Sequence, residues 1–292
     1  MPSPRIDWQT IAADHPELQI RTTTLLGEGW SSHAFLVNES LVFRFPKRRD
    51  VWLELEREIA FLAAAADGLP LEVPRYLTVD RTSAAAAHGY AVYSFVPGDA
   101  LSLAELSVDE RSAAADAIAA FLKSLHRDQA SASTAARLER VDERAHAVDL
   151  RELADRIVSP LLTASEVKRL REWFRWYVET PASFSFSPMV IHADLSGEHV
   201  LTNGGRVTGV IDFSDVSFGD PDYDFSSLFI DVGEDFALDV ARRYGHADLE
   251  RLAEKLRYFA IADQIDTIVN GDGWALPGQR EAAWTRLRQY LG

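Results

Sequence analysis

The chain of 292 residues is 47% hydrophobic and 10% aromatic, so a folded protein with a sizeable core is predicted and wholesale disorder is excluded. Its 30 Lys and Arg residues against 45 Asp and Glu residues leave a formal net charge of −15, which disfavours nucleic acid and anionic membranes and favours a cationic partner. Cysteine is absent, which excludes disulfides, thiolate metal sites and thiol nucleophiles.

The first hundred residues are predicted to form mostly β-strands joined by short turns. The extended segments are residues 22–26, 33–37, 41–45, 73–79 and 89–96. Residues 50–66 form a predicted helix, because apolar residues recur there every three or four positions. The Pro97-Gly98 pair then interrupts the pattern, so we place there the boundary between an N-terminal nucleotide-binding lobe, residues 1–96, and a C-terminal lobe, residues 97–292.

The C-terminal lobe is predicted to be mostly helical with an embedded β-hairpin. Ser107 and Glu110 have the spacing of a capping box, in which each side chain bonds the other's backbone N–H, so a helix begins there. Further helical segments are predicted over residues 166–179 and 235–291, whereas residues 127–147 are predicted to be a loop or a weakly packed helix. The predicted strands are residues 189–192, 199–202 and 206–213, and a turn at residues 203–205 joins the last two.

A glycine-rich turn follows the first predicted strand. Gly27 and Gly29 would let the backbone approach a phosphate closely, and Ser31 and Ser32 would add hydroxyl groups. A plain hairpin turn explains the same residues equally well. A strand follows where a dinucleotide-binding fingerprint needs a helix, and the Gly-Lys-Ser/Thr of a Walker loop is absent from the sequence.

Two aspartates flank the predicted hairpin. Asp194 follows the strand at residues 189–192, and Asp212 lies near the end of the strand at residues 206–213. A strand, a turn and a second strand of this length bring the two carboxylates to the same end of a small sheet. One carboxylate can then orient and deprotonate an attacking hydroxyl while the other holds Mg²⁺ against nucleotide phosphates. An isolated aspartate in such a place more often caps a turn, but the whole pattern favours chemistry.

These motifs resemble a known family. The sequences His192-x-Asp194 and Ile211-Asp212-Phe213 are similar to those of the aminoglycoside phosphotransferase superfamily, relatives of the protein kinases, and most closely to the aminoglycoside 2″-phosphotransferases. The resemblance covers most of the chain. It implies an α+β, protein-kinase-like two-lobe fold, with an antiparallel sheet and one helix in the N-terminal lobe and a helical substrate-binding subdomain in the C-terminal lobe.

The resemblance also implies an activity and roles for single residues. It implies transfer of the γ-phosphoryl group of GTP or ATP to a hydroxyl of an aminoglycoside antibiotic, with Mg²⁺ as cofactor and antibiotic resistance as the outcome. By this resemblance Asp194 is the catalytic aspartate and Asp212 is a metal ligand. Glu58 is the helix glutamate that pairs with a lysine of the third strand.

The chain departs from the kinase pattern at two positions. Arg44 replaces the third-strand lysine, so either Arg44 aligns the triphosphate or Lys47 reaches in to do so. His199 stands where kinases most often have a metal-binding Asn, and some members of the superfamily look similar there. We expect His199 to bind the metal, although packing within the strand would also explain a histidine at this position.

The segment of residues 90–96 is expected to offer backbone hydrogen-bonding groups to the purine. Tyr93, Ser94 and Val96 are the residues we assign to nucleotide binding here. By the resemblance Tyr93 lies at the gatekeeper position, where a bulky side chain would close the deeper pocket in which adenine docks. The sequence therefore predicts a preference for GTP over ATP.

Negative charge is concentrated around the catalytic motifs. Between His192 and Asp235 there are ten acidic residues and a single basic one, Arg206. Such a cleft would attract and hold a polycation. The candidate contacts to substrate amines are Glu198, Asp215, Asp231, Glu234, Asp235 and Asp263. A solvated or capping carboxylate is an equally good explanation of each of them, and Asp220 and Asp224 are assigned to structural work around Pro221.

Other activities remain open at this stage. A macrolide phosphotransferase shares the pattern around His199 but needs fewer carboxylates and a more apolar lining. A choline- or homoserine-type kinase is a weaker option. A nucleotide-binding pseudokinase is the alternative from a different class, and Arg44 in place of lysine is the feature that recommends it.

The sequence also bears on location and assembly. The N-terminus has no basic segment followed by an apolar run, and the longest apolar stretches are shorter than the roughly 20 residues that span a bilayer. We therefore expect a cytoplasmic protein without nucleic-acid or membrane partners. A monomer is expected, because no heptad pattern suggests obligate assembly.

Overall fold

The computed structural model describes residues 6–29, 31–127, 138–271 and 278–292. The strands of the N-terminal lobe are β1 (Thr23–Glu28), β2 (Ser32–Val37), β3 (Leu41–Pro46), β4 (Tyr76–Asp80) and β5 (Tyr90–Ser94). They form one antiparallel sheet in the order β1-β2-β3-β5-β4. Asn38 and Glu39 both adopt positive φ between β2 and β3, which suits the twist of a tight hairpin. The predicted meander is confirmed.

Two helices accompany this sheet. Helix α1 (Trp8–Asp14) covers one face, where the Trp8 ring packs edge-on against Phe43 with ring centroids 5.5 Å apart. Helix α2 (Val51–Ala65) corresponds to the predicted helix at residues 50–66. The C-terminal end of α2 packs against the other lobe, with Phe61 5.8 Å from Phe213 between ring centroids. Helix α2 therefore connects the N-terminal sheet to the segment that carries Asp212.

The C-terminal lobe is mainly helical. Its helices are α3 (Val108–Arg127), α4 (Glu143–Leu153), α5 (Ala164–Glu179), α6 (Ser226–Asp231), α7 (Glu234–Tyr244), α8 (Leu249–Asn270) and α9 (Gln279–Leu291). Its short strands are β6 (Asp99–Ala100), β7 (Met189–Ile191), β8 (Val200–Asn203), β9 (Arg206–Val210) and β10 (Ser217–Gly219). Strands β6, β8 and β9 form one small sheet, and β7 pairs with β10 in another. The α+β two-lobe architecture is as predicted.

Local signals placed several of these elements correctly. Ser107 and Glu110 form the predicted capping box, with the Ser107 N–H donating to Glu110 Oε2 at 2.8 Å and the Glu110 N–H donating to Ser107 Oγ at 3.3 Å. The turn between β8 and β9 consists of Gly204 and Gly205, both at positive φ. The prediction for residues 206–213 was wrong at its end, because the strand stops at Val210.

The predicted loop or weakly packed helix at residues 127–147 lies partly outside the described residues. Within the described part, α4 begins at Glu143, and Asp142 caps it by accepting a hydrogen bond from the Ala145 N–H at 3.0 Å. The boundary after residue 96 stays a prediction, with Pro97 and Gly98 lying between β5 and β6. In the described part of the chain, every helix is too short or too polar to cross a membrane.

Candidate active site

The loop that follows β7 is held by a buried carboxylate. Asp224 is fully buried and accepts hydrogen bonds from the backbone N–H of His192 at 3.0 Å and of Ala193 at 2.8 Å. His126 Nε2 donates to the same carboxylate at 3.0 Å, and its Nδ1 lies 2.9 Å from the Tyr244 hydroxyl. This network fixes the backbone immediately before Asp194.

Two residues of the site have left-handed backbones. Ala193 has φ of 66° and Asp212 has φ of 60°, conformations that cost free energy for residues other than glycine. Strain of this kind persists where the surrounding structure enforces a geometry. The bend at Asp212 also explains why β9 ends early.

His199 lies between the two predicted carboxylates. Its Nδ1 is 2.8 Å from the backbone carbonyl oxygen of Asp194 and must carry the proton, because a carbonyl oxygen can only accept. Its Nε2 therefore faces Asp212, whose Oδ2 is 3.8 Å away. Asp194 Oδ2 lies 3.3 Å from the Nδ1 atom. The structure thus brings Asp194, His199 and Asp212 together at one end of the small sheet.

The three groups differ in their protonation tendencies. Burial raises the pKa of Asp194, and this outweighs the opposing charge of His199. Burial lowers the pKa of His199, but the Asp194 and Asp212 carboxylates reverse the shift, so its net direction is upward. Burial also acts to raise the pKa of Asp212, but Arg44 and His199 outweigh it and lower that pKa to about 2. Asp212 is therefore the ionised carboxylate of the site.

Arg44 occupies the position of the expected third-strand lysine and binds several partners. Its Nη1 donates to Glu58 Oε2 at 2.8 Å, and its Nη2 lies 3.5 Å from Asp212 Oδ1. The Ser31 and Ser32 hydroxyls each accept a hydrogen bond from the same guanidinium at 3.3 Å. Burial raises the pKa of Glu58 to about 7 in spite of Arg44. Arg44 thus connects the glycine-rich turn, α2 and Asp212.

Lys47, the alternative to Arg44, lies elsewhere. Its ammonium group is 3.4 Å from Glu28 Oε1, at the end of β1. Gly27 lies within β1 and Gly29 directly after it, so the strand extends further than the predicted residues 22–26. A Cβ atom at Gly27 would meet no atom within 4 Å, which leaves this edge open to a ligand. Trp30 lies outside the described residues.

In the segment of residues 90–96, some backbone N–H groups are bonded within the protein and others are available to a ligand. The Ser94 N–H donates to the Arg75 carbonyl at 3.0 Å, so this donor is already used. The Val96 N–H donates to no other group among the described residues. Tyr93 packs against Tyr76 with ring centroids 5.1 Å apart. Burial raises the pKa of Tyr93, and Arg44 and Glu58 are close enough for their charges to act on it, which places Tyr93 near that ion pair.

The chemistry of the donor set fits a magnesium ion. Among the described residues no group of three or more His, Asp and Glu side chains is arranged as a metal cage. Mg²⁺ does not need one, since it is usually held by one or two protein ligands together with substrate phosphates and water. The ionised Asp212 carboxylate lies 3.8 Å from His199 Nε2, the ring nitrogen that is not committed to the Asp194 carbonyl, and this nitrogen can ligate a metal once it has lost its proton.

A cavity of about 520 Å³ lies beside Asp194, and we call it the acceptor cavity. Of the predicted substrate contacts, Asp215 and Asp263 line it together with Asp194. Arg57, Glu139, Glu143 and His146 also line it and were not predicted as site residues. No sequence signal marked them, because they come from α2 and from the segment around the start of α4, both distant in sequence from the catalytic motifs.

The other predicted acidic contacts have different surroundings. Glu234 is paired with Arg257, with Oε1 2.6 Å from the guanidinium, and its contact with a substrate amine stays a prediction. Asp235 is exposed in the first turn of α7. Asp231 and Glu198 are both exposed. None of the four lines the acceptor cavity.

Comparison with known sequences identifies related proteins. The model of a phosphotransferase enzyme family, APH, matches residues 22–258. Hygromycin-B 4-O-kinase of Escherichia coli is 33% identical over 73 residues, which make up 25% of this chain and 20% of that protein. The match to this relative therefore covers about a fifth of its length.

Solved structures resemble the whole chain. The GDP complex of aminoglycoside 2′-phosphotransferase-IIIa is 29% identical with a TM-score of 0.89, and the match covers 97% of this chain and 96% of that one. The GDP and kanamycin complex of an APH(2″) enzyme is 29% identical with a TM-score of 0.88, with 97% of each chain covered. Macrolide 2′-phosphotransferase type I shares the fold, at 20% identity and a TM-score of 0.70 over 96% of each chain.

Proposed function

The chain belongs to the phosphotransferase enzyme family, APH, and on that premise we propose that it transfers the γ-phosphoryl group of a nucleoside triphosphate to a hydroxyl of an aminoglycoside. The observation that carries the proposal is the acidic lining of the acceptor cavity directly beside Asp194, with Asp215, Asp263 and Glu143 in its wall, while Glu139 is paired with Arg57 of the same wall. A polycation gains favourable electrostatic energy in such a cavity. The kanamycin bound to the APH(2″) relative is a ligand of this class.

Asp194 orients the acceptor hydroxyl and takes its proton as the hydroxyl oxygen attacks the γ-phosphorus. The Asp194 backbone is held by the loop that Asp224 anchors, so the carboxylate faces the acceptor cavity in a fixed position. Arg44, fixed by Glu58, presents its guanidinium to the triphosphate. The open edge at Gly27 and the hydroxyls of Ser31 and Ser32 are the further groups that bind the phosphates.

Mg²⁺, when bound, supplies positive charge that offsets the charge of the phosphate oxygens. The residues that would hold it are His199 and Asp212. His199 contributes Nε2, since its Nδ1 proton is committed to the Asp194 carbonyl. Asp212 remains ionised and is supported by Arg44.

The nucleotide is bound in the cleft between the lobes, with the purine against the 90–96 segment. The Val96 N–H supplies the donor at the purine edge, because the Ser94 N–H is already bonded to Arg75. Tyr93 closes the inner end of the cleft, which favours GTP over ATP. The GDP bound to aminoglycoside 2′-phosphotransferase-IIIa supports this choice, whereas the ADP bound to APH(2″)-Ib, which is 25% identical, supports the use of adenine nucleotides.

The proposal is tested by incubating the purified protein with Mg²⁺, GTP or ATP, and an acceptor, followed by mass spectrometry of the acceptor. Kanamycin is expected to gain one phosphoryl group, and expression in a susceptible strain is expected to raise the inhibitory concentration of the drug. Transfer to a macrolide and to no aminoglycoside would contradict the charge argument. Transfer to no acceptor at all, with nucleotide still bound, would favour the pseudokinase alternative.

The role of Asp194 is tested by Asp194→Asn. The variant is expected to lose phosphoryl transfer while its nucleotide dissociation constant stays within about twofold, because the carboxylate acts on the acceptor and not on the nucleotide. Asp109→Asn, in the exposed first turn of α3, is the matched control. Turnover by the Asp194 variant at the parent rate would refute the role.

A further inference from the structure

A second cavity, of about 180 Å³, adjoins the acceptor cavity, and we call it the side cavity. The two share four lining residues, Glu143, His146, Tyr223 and Asp263. The side cavity then continues between α4, α5 and α8, away from Asp194, and nothing in the reaction described above uses it. A group bound there would be remote from the hydroxyl that accepts the phosphoryl group.

Aromatic rings form one wall of the side cavity. Tyr177 of α5 and Tyr258 of α8 stack with ring centroids 3.8 Å apart and an interplanar angle of 10°. Tyr223 and Phe259 line the same space, with their rings edge to face at 5.1 Å. Aromatic faces attract cations and pack well against the apolar faces of rings. This wall is therefore suited to a ring that carries ammonium groups.

A polar atom in this wall lacks a partner. Tyr177 is 1% exposed, and its hydroxyl forms no hydrogen bond with any described residue. A buried hydroxyl without a partner is unfavourable, and native proteins usually satisfy such groups. Because Tyr177 lines the side cavity, a ligand in this space can supply the missing hydrogen bond.

Carboxylates also line the side cavity. Glu143 and Asp263 line both cavities, and Asp266 lines only the side cavity. Burial raises the pKa of Asp263, and the neighbouring Asp266 and Asp231 add to the shift. The charge of Arg286 opposes this shift only in part, and Lys255, whose charge acts on Glu143, is committed to Asp220 and Asp222.

We infer that the side cavity is a subsite for an ammonium-bearing ring of the acceptor, distant from the phosphorylated hydroxyl. The ring lies beside Tyr223, its ammonium groups pair with Asp266 and with the carboxylates that line both cavities, and the Tyr177 hydroxyl accepts an N–H from it. The volume equals about six waters at roughly 30 Å³ each, which suits one amino-sugar or aminocyclitol ring. This inference rests on the proposed function and specifies how the acceptor is oriented.

The decisive variants line the side cavity and not the acceptor cavity, and they are Tyr177→Phe and Asp266→Asn. Each is expected to raise the kanamycin dissociation constant, measured by calorimetry on the full-length protein, about tenfold. KM for kanamycin should rise in parallel, whereas kcat and the nucleotide dissociation constant should change less than about twofold. Tyr177→Phe should also raise the melting temperature of the free protein, because it removes the unpaired hydroxyl.

Tyr90→Phe is the matched control, since that tyrosine is buried in the N-terminal lobe away from both cavities. It should leave kanamycin binding unchanged. Parent-like kanamycin affinity in both side-cavity variants, with transfer by the parent intact, would overturn this inference alone. If the parent transfers phosphate to no aminoglycoside, the proposed function fails and this inference fails with it.

Discussion

The carboxylate of Asp224 holds Ala193 in a left-handed conformation. Its Oδ1 accepts a hydrogen bond from the Ala193 N–H at 2.8 Å, and Ala193 has φ of 66°. The two residues lie 31 positions apart in the sequence, on different elements. The buried anchor therefore compensates for an unfavourable backbone one residue before Asp194.

Ala193→Gly is expected to preserve activity and to leave stability unchanged or raise it by up to about 1 kcal/mol. A residue with a Cβ atom pays roughly 1–2 kcal/mol in the left-handed region, whereas glycine loses roughly 0.5–1 kcal/mol through its greater freedom in the unfolded chain. Chemical denaturation measures the difference. Ala120→Gly, on the exposed face of α3, is the control and should cost about 1 kcal/mol. A larger loss from Ala193→Gly than from Ala120→Gly would contradict the strain argument.

Arg44→Lys is expected to lower kcat/KM for the nucleotide by about 10- to 100-fold, a loss of roughly 1.4–2.8 kcal/mol. The guanidinium contacts Glu58, Asp212 and two serines at once, which a single ammonium group cannot do. Steady-state kinetics at saturating acceptor measure the change. Lys47→Met is the comparison, and it should have less than about a threefold effect, because Lys47 pairs with Glu28. If Lys47→Met lowers kcat/KM more than Arg44→Lys does, Lys47 and not Arg44 binds the phosphates.

The proximity of Asp194 and Asp212 could be predicted from the sequence. A strand, a short turn and a second strand form a hairpin, which brings the residues at its two ends to the same end of the sheet. The ion pair of Arg44 and Glu58 was expected from the resemblance, and the structure contains it. In each of these cases a local pattern or a family motif marks the residue. Such signals do not depend on how the helices of the other lobe pack.

Other features depend on tertiary contacts that no local pattern marks. Glu143 reaches the acceptor cavity only because α4 begins there and packs against α8, whereas the sequence left a loop or a weakly packed helix open for this segment. Glu234 is neutralised by Arg257 from another helix, 23 positions away. The hydrogen bonds of Asp224 to the catalytic loop were not visible either, since the sequence linked this residue only to the Pro221 turn.

Glu143→Gln is expected to change how stability depends on pH. Burial, with a further contribution from Asp220, raises the pKa of Glu143 to about 7, well above its ordinary value of 4.5. The folded protein therefore binds the proton more tightly than the unfolded chain, and the contribution of this residue to stability falls as the pH rises through the window from about 4.5 to about 7. The variant should melt at about the parent temperature near pH 5 and above it near pH 8.

The opposite dependence of stability on pH is expected for Glu110, the carboxylate of the capping box. Bonds from Ser107 lower the pKa of Glu110, so this residue contributes stability that is lost as the pH falls through its lowered pKa. Glu110→Gln should therefore melt below the parent at neutral pH and approach it in acid. Melting curves of both variants over the same pH series test the argument. If Glu143→Gln instead melts below the parent at neutral pH, as expected for Glu110→Gln, the ionised Glu143 carboxylate does not destabilise the parent.

Tyr93 is expected to set the choice of nucleotide. Its ring packs on Tyr76. If it closes the inner end of the cleft, as we propose, the parent should have a higher kcat/KM with GTP than with ATP. Tyr93→Ala opens that space and is expected to raise the ATP-to-GTP ratio of kcat/KM about tenfold, because shape exclusion at the base is then lost. Tyr76→Phe keeps both rings and serves as the control with an unchanged ratio. A parent enzyme that prefers ATP, or a Tyr93 variant with the parent ratio, would place the selectivity elsewhere, with the Val96 backbone as the next group to examine.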